Sequence, residues 1–501
     1  MGNLLSRTTT NRPVVLFAII LAMFMAAVEA TIVATAMPGI VSDLGGFSLF
    51  TWVFGGYLLM QVVSIPIYGK LADLFGRKIV FTIGILIFLF GSIWCGFATS
   101  MEWLIIARFI QGLGAGAVQP IATTIVGDIY TKEERASIQG YLASIWGISS
   151  ILGPVLGGVF VQYLHWSWIF WINIPFGLLA ILLVVLFLKE SFEKTKPSVD
   201  YFGAVLILIS VGSLMMVLIQ GGVEWDWLSL PVLLCVSLFG VSFITFIYQE
   251  KRAQEPIMSM DIWGTPLIVI ANIASFASGA LLLAVSSFLP TYVQGVMNQP
   301  AMIAGFTLTM ISIGWPISST IAGKLLLRIG YRKSALIGGF ALVVGSTFYL
   351  TLSLVQHPVW AGLGSFFIGV GMGFSTTTFI VSIQSHVDWK KRGVATASNM
   401  FMRTLGGAVG VALLGGILNS QLKMKLEGMV GTFDYELDMD IVNIILSPEQ
   451  RKQLTEQEIL FIQDALAQAL SYVYWGIFIF ALISLILIFF LPQDEQEKET
   501  N

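Results

Sequence analysis

Gly69-Lys70-Leu71-Ala72-Asp73-Leu74-Phe75-Gly76-Arg77-Lys78 decides the reading of this chain once it is set beside Gly323-Lys324-Leu325-Leu326-Leu327-Arg328-Ile329-Gly330-Tyr331-Arg332. Both stretches fit G-K-L-x4-G-x-[KR], and both follow the second apolar run in a group of six. Two other runs echo each other: one carries Gly153, Gly157 and Gly158, the other Gly406, Gly407, Gly410, Gly415 and Gly416. Internal repeats of this kind build secondary transporters as two half-bundles that rock about a central site.

The chain around these motifs is 56% hydrophobic and only 11% charged over 501 residues, where a soluble domain carries about 25% charged residues. A soluble fold of this length cannot hide so much apolar surface, whereas a bilayer takes it out of water directly. A transmembrane helix needs about 20 mostly apolar residues. That ruler finds spans at 14–38, 51–69, 79–98, 102–127, 137–161, 167–189, 203–220, 229–248, 265–290, 302–323, 334–354, 358–384, 394–418 and 471–491. The expected fold is an all-α polytopic membrane protein of 14 transmembrane helices. It comprises an N-terminal six-helix bundle (1–190), two linking helices (191–262) and a C-terminal six-helix bundle (263–501) with a long extracellular loop at 419–470.

Lys and Arg stay preferentially in cytoplasmic loops. With the N-terminus inside, the even-numbered loops carry Arg77 and Lys78, Lys132 and Arg135, Lys194 and Lys196, Lys251 and Arg252, Arg332 and Lys333, and Lys390 to Arg392. The first six odd-numbered loops carry none. The first apolar run reads as an uncleaved span, so the chain is expected to be multi-pass in the cell membrane with both termini cytoplasmic.

Five stretches stand out as motifs: Gly69 to Lys78, Arg108-Phe-Ile-Gln111-Gly112-Leu-Gly114, and Gly147 to Gly158 with Gly153-Pro154, then Trp166-Ser-Trp-Ile-Phe-Trp-Ile-Asn173-Ile-Pro175 and Asn399 to Gly407 with Arg403. Together they resemble the major facilitator superfamily (MFS), and within it the fourteen-span drug:proton antiporters of the EmrB/QacA type. The resemblance implies proton-coupled export of small lipophilic or amphipathic compounds by alternating access, as a monomer surrounded by membrane lipid, with a proton gradient in place of a cofactor. It implies that Gly69, Asp73, Gly76, Arg77 and Lys78 form a conformational latch. The other reading of that loop is a basic turn that only sets topology. Asp73 and Arg77 are four apart, a spacing that lets them pair on a helical turn; the second copy has Leu327 in place of the acid. It further implies that Gly147, Gly153, Pro154, Gly157 and Gly158 mark an exporter, while physically such small residues let helices approach closely.

Charges inside spans are costly and usually functional. Three lie deep: Glu29, Arg108 and Arg403. At 1.5 Å per residue, Glu29 and Arg108 sit about 13 and 9 Å below the outer surface, close enough for a long Arg side chain to reach the acid. Glu29 also falls where the family's first span carries an Asp, which makes it the expected proton carrier with Arg108 as its partner; a static ion pair is the alternative. Arg403 can orient the halves, bind backbone carbonyls or face an anionic group, and the sequence leaves the three open. Span 10 contains no acid, which speaks against a site dedicated to divalent organic cations. Met23, Gln61, Gln111, Gln119, Trp146, Asn173, Asn272 and Phe276 are candidates to line a mostly apolar cavity.

Net charge is −3, too small to suggest a nucleic-acid partner. The sequence has no metal-spaced cluster, phosphate loop or nucleophile elbow, so neither an enzyme nor a metal site is expected. Cys95 and Cys235 read as packing residues. A channel needs neither a proton carrier nor two rocking halves. The serious rival is an MFS exporter or importer dedicated to one metabolite or lipid-like substrate. Before the last span, Ser447-Pro448-Glu449-Gln450 reads as a capping box, followed by an amphipathic stretch over 456–470 that reads as a short surface helix, with a lid or partner-docking element as the other reading.

Overall fold

The computed structural model describes residues 10–44, 50–190, 200–221, 225–253, 256, 258, 260–427 and 454–492. Among them no strand forms, and an isolated bridge joins Gly221 and Trp225. The helices are α1 (Arg12–Leu44), α2 (Phe50–Phe75), α3 (Arg77–Gly96), α4 (Met101–Ile129), α5 (Lys132–Tyr163), α6 (Trp168–Trp171), α7 (Asn173–Phe187) and α8 (Tyr201–Gln220). After them come α9 (Leu230–Glu250), α10 (Met260–Trp263), α11 (Pro266–Thr291), α12 (Ala301–Leu350), α13 (Leu352–Val355), α14 (Pro358–His386), α15 (Arg392–Glu427) and α16 (Glu456–Phe489). Among the described residues, 11 helical stretches are long and apolar enough to cross a membrane. An apolar run of that length becomes a helix because hydrocarbon offers backbone groups no partner, and a helix pairs them internally.

Local chemistry sets the helix ends. Ser100 accepts the Trp103 N–H at the start of α4, and Thr131 and Glu134 form a reciprocal capping box before α5. The two copies of the opening motif turn in the same way. Gly76 (φ 91°) separates α2 from α3, and Gly330 (φ 80°) divides α12 into two helical segments. A side chain at either position would strain a backbone conformation that glycine adopts freely.

The sixth span runs continuously from Trp168 to Phe187, because Ile172, between α6 and α7, keeps helical backbone angles (φ −58°, ψ −25°). Two expectations are corrected. Residues 456–470 are not a separate surface helix. They form the first part of α16, which begins at a capping box between Thr455 and Glu458 and runs without interruption to Phe489. The loop expected over 419–470 shrinks accordingly, because α15 extends to Glu427. The expected box at 447–450 lies outside the described residues.

The chain divides into two compact units. The first comprises Met1–Met215, Leu234–Ile268 and Ile380–Phe401, the second Met216–Leu233, Val269–Phe379 and Met402–Asn501. The first unit therefore takes in a segment, 380–401, from late in the chain. Its core stacks Ile19, Met25, Phe81, Phe88, Val118 and Ile125 from α1, α3 and α4. The second unit packs α11, α12, α14 and α16 around Leu289, Leu342, Ile368, Val473 and Ile477. Glu29 and Arg108 lie in the first unit, Arg403 in the second.

Candidate functional site

Five helices of the first unit converge on Glu29. The carboxylate, on α1, is fully buried, and its Oε1 accepts from Arg108 of α4 while its Oε2 accepts from Asn173 Nδ2 of α7 at 2.7 Å. Arg108 has other partners. Its Nε donates to the Val53 carbonyl of α2 at 3.0 Å, Nη1 donates to Gln111 Oε1 at 2.7 Å, and the guanidinium lies 4.1 Å from the centre of the Tyr57 ring. Gln111 in turn donates to Ser92 Oγ of α3 at 2.7 Å. The pair is electrically neutral and closed to solvent, and each member keeps polar partners apart from the other. Protonating Glu29 would turn this neutral pair into a lone buried cation still held by Gln111, Val53 and the Tyr57 ring. Such a site can gain or lose a proton without losing all support for either side chain. The sequence signalled Glu29, Arg108, Gln111 and Asn173. It did not signal Ser92, Tyr57 or the Val53 carbonyl, whose roles arise from helix packing alone.

A second cluster surrounds the Gly69–Lys78 turn. Arg77 is buried; its Nη2 donates to Asp73 Oδ1 at 2.6 Å and to the Trp389 carbonyl at 2.8 Å, and Nη1 donates to the Ala72 carbonyl at 3.1 Å. Its Nε lies 3.0 Å from Asp128 Oδ2 as a charge contact, and the guanidinium stacks 3.9 Å from the Trp389 ring. Asp73 also accepts the N–H groups of Gly393 (3.0 Å) and Val394 (2.8 Å), the second and third residues of α15. An anion there meets unpaired donors and the positive end of the helix dipole. Gly69 and Gly393 permit the approach: a Cβ on Gly69 would overlap Ala397, and one on Gly393 would meet Asp73 Oδ1 at 2.6 Å. Arg392 bonds Asp128 at 2.9 Å and the Gly127 carbonyl at 3.0 Å.

Lys78 and Glu190 clasp the end of α7 to the start of α3. Glu190 accepts the N–H groups of Arg77 (2.9 Å) and Lys78 (3.1 Å), the first residues of α3, and Lys78 Nζ donates to the carbonyls of Val185 (2.6 Å) and Leu188 (3.1 Å) at the end of α7. Gly76 sits under this clasp, where a Cβ would come within 2.9 Å of the Glu190 carboxylate. A cavity of about 370 Å³ opens beside it, lined by Arg77, Asp128, Glu190 and Trp389 among others. Asp128, Glu190, Trp389 and Arg392 escaped sequence reasoning as site residues.

In α5, Gly153 is the close contact. A Cβ there would overlap the Thr31 hydroxyl of α1, and that hydroxyl donates to the Ser149 carbonyl of α5 at 3.1 Å. Gly147 and Gly157 are buried in the same helix, whereas a Cβ on Gly158 would meet nothing within 4 Å. Pro154 lies in α5; its side chain is outside the described residues.

The cavity candidates scatter. Met23 is part of the first unit's hydrophobic core, and Gln111 and Asn173 belong to the Glu29 network. Gln61 and Gln119 are half-buried, and Trp146 is exposed. In the second unit Asn272 is buried, Phe276 half-buried, and the Phe276 carbonyl packs against Gly406.

Apolar helices of membrane-crossing length, paired intramembrane charges and a doubled glycine turn define a multi-pass membrane transporter. The chain belongs to the Major Facilitator Superfamily, whose sequence description matches residues 19–411. It is 34% identical to multidrug resistance protein 3 of Bacillus subtilis (strain 168), over 94% of this chain and 93% of that protein. It is 31% identical to the multidrug transporter protein MdtP of the same organism, over 98% and 96% of the two chains. The fold is also that of the human organic anion transporter MFSD10, with a TM-score of 0.63 at 13% identity over 94% of this chain and 99% of that one. The protein is a transporter and not an enzyme.

Proposed function

We propose that the protein is a fourteen-span, proton-coupled antiporter of the EmrB/QacA type that exports small lipophilic or amphipathic compounds by alternating access. The observation that carries the coupling is the buried Glu29–Arg108 pair with its secondary partners. An ionisable pair inside a span is expensive and rarely retained without a task, and this one has neutral groups in place to support either protonation state. Export is supported by the names of the two Bacillus relatives, which describe multidrug resistance and multidrug transport. The fourteen-span count is supported by the 11 apolar stretches, by α5 and α8, and by the division of α12 at Gly330. The alternation of Lys and Arg supports a cytoplasmic position for both termini.

In this reading a proton taken up by Glu29 weakens its hold on Arg108, and its release restores the pair. The Asp73–Arg77–Asp128 cluster acts as the latch, because it fastens the α2–α3 turn and the end of α4 to the start of α15. No bound cofactor is needed, since the proton gradient supplies the energy, and the monomer is the working unit. The test is efflux of a panel of dyes and antibiotics from cells that lack other pumps. Expression should lower accumulation of several unrelated compounds, and a protonophore should abolish the effect. Efflux that survives the protonophore contradicts proton coupling, and export of a single metabolite contradicts the multidrug reading.

A further inference from the structure

Arg77, Arg108 and Arg403 are treated very differently by the fold. Arg77 and Arg108 are each held by a carboxylate, by carbonyl or amide oxygens and by an aromatic face. Arg403, among the described residues, has no hydrogen bond, ion pair or aromatic partner for its guanidinium, and it is half-buried. It lies 11 residues after Arg392, the first residue of α15. At 1.5 Å per residue that is about 17 Å along the helix, near the middle of a hydrocarbon core about 30 Å thick.

The backbone beneath this side chain is fixed. A Cβ on Gly279 of α11 would overlap the Arg403 carbonyl, one on Gly406 would overlap the Phe276 carbonyl, and one on Gly410 would come within 2.6 Å of Ala280. Glycines on both helices thus bring α11 and α15 into backbone contact at the level of Arg403, within the second unit. Glu29 and Arg108 neutralise each other, so the three deep charges leave one net positive charge, and it resides on Arg403. A guanidinium at mid-span facing lipid would be very costly, and such groups face water-filled space. An anchored, half-buried guanidinium with no partner among the described residues, and with five donors in a planar fork, matches an oxyanion.

We propose that Arg403 binds an anionic group of the transported molecule, a carboxylate or a similar oxyanion on an otherwise apolar body, so that amphipathic anions are among the protein's substrates. This rests on the exporter reading above and adds a substrate class to it. The test uses a carboxylated fluorescein dye and the cation ethidium. Export is measured in cells lacking other pumps for the wild type, Arg403→Lys and Arg403→Gln. The expected result is that Arg403→Gln raises the KM for the carboxylated dye at least tenfold more than that for ethidium, and that Arg403→Lys recovers most of the difference. Equal changes for both dyes, or none for either, overturn the assignment.

Binding to purified wild-type protein, followed by fluorescence polarisation, keeps the question decidable if the variants fail to fold. The free carboxylate should bind at least tenfold more tightly than its methyl ester, and equal affinities overturn the proposal. If the wild type exports neither dye, the exporter reading fails, and the binding comparison still decides the role of Arg403.

Discussion

Replacing Asp73 with Asn removes one negative charge and turns one acceptor into a donor at the start of α15. Asp73 Oδ1 serves Arg77 at 2.6 Å and the Gly393 amide at 3.0 Å, while Oδ2 serves the Val394 amide at 2.8 Å. In the variant one oxygen remains for Arg77 and Gly393, and the new NH2 group faces the Val394 N–H, donor against donor. A hydrogen bond to a charged group contributes about 1.5–3 kcal/mol, and the favourable charge at a helix N-terminus adds about 0.3–1 kcal/mol. Losing one such bond and weakening two others should cost about 3 kcal/mol, which at 1.4 kcal/mol per decade is roughly a hundredfold in local opening. Hydrogen exchange of purified protein reads this directly, because the Gly393 and Val394 amides are themselves the donors. Exchange over residues 393–397 should accelerate about a hundredfold, transport should fall, and the variant should remain folded and inserted. If transport is lost while exchange there stays within about threefold of wild type, Asp73 does not act through α15 and the latch argument fails.

Two further substitutions probe packing and charge. Gly153→Ala presses a methyl group onto Thr31 and should cost about 1–3 kcal/mol, seen as a lower melting temperature, whereas Gly158→Ala meets open space and should stay within about 0.5 kcal/mol of wild type; equal losses would show that close approach at Gly153 is not what the helix needs. Arg108→Ala leaves Glu29 buried beside Asn173 without a cation and should cost about 3–5 kcal/mol. Arg108→Lys keeps the charge and should retain more stability and more transport, so indistinguishable variants would contradict the paired-charge account.

The apolar runs were legible because a membrane leaves the backbone one economical solution, and the Gly76 and Gly330 turns because a repeated motif placed the same residue at each. The Glu29–Arg108 pair was readable for a simpler reason: the sequence offered a single acid deep in a span and a nearby arginine at similar depth. What the sequence hid are contacts between distant segments. Asp128 meets Arg392 across 264 positions, and Glu190 reaches the Arg77 amide across 113. No local spacing announces either, and both read as ordinary charges flanking a span. The amphipathic pattern over 456–470 marked a helix correctly but could not say whether it stopped. Thr455 and Glu458 cap its start, and nothing between there and Phe489 breaks it.

Proton coupling through Glu29 is most directly tested by uphill transport in proteoliposomes under an imposed pH gradient. Glu29→Gln keeps the size and one acceptor for Arg108, and Asn173 can turn its amide to face the new NH2 group, but the side chain no longer titrates. The account predicts that this variant fails to concentrate substrate against its gradient while still exchanging it downhill at a measurable rate. Glu29→Gln liposomes that accumulate substrate to the wild-type level, and release it when a protonophore is added, would place the coupling proton elsewhere and contradict the account.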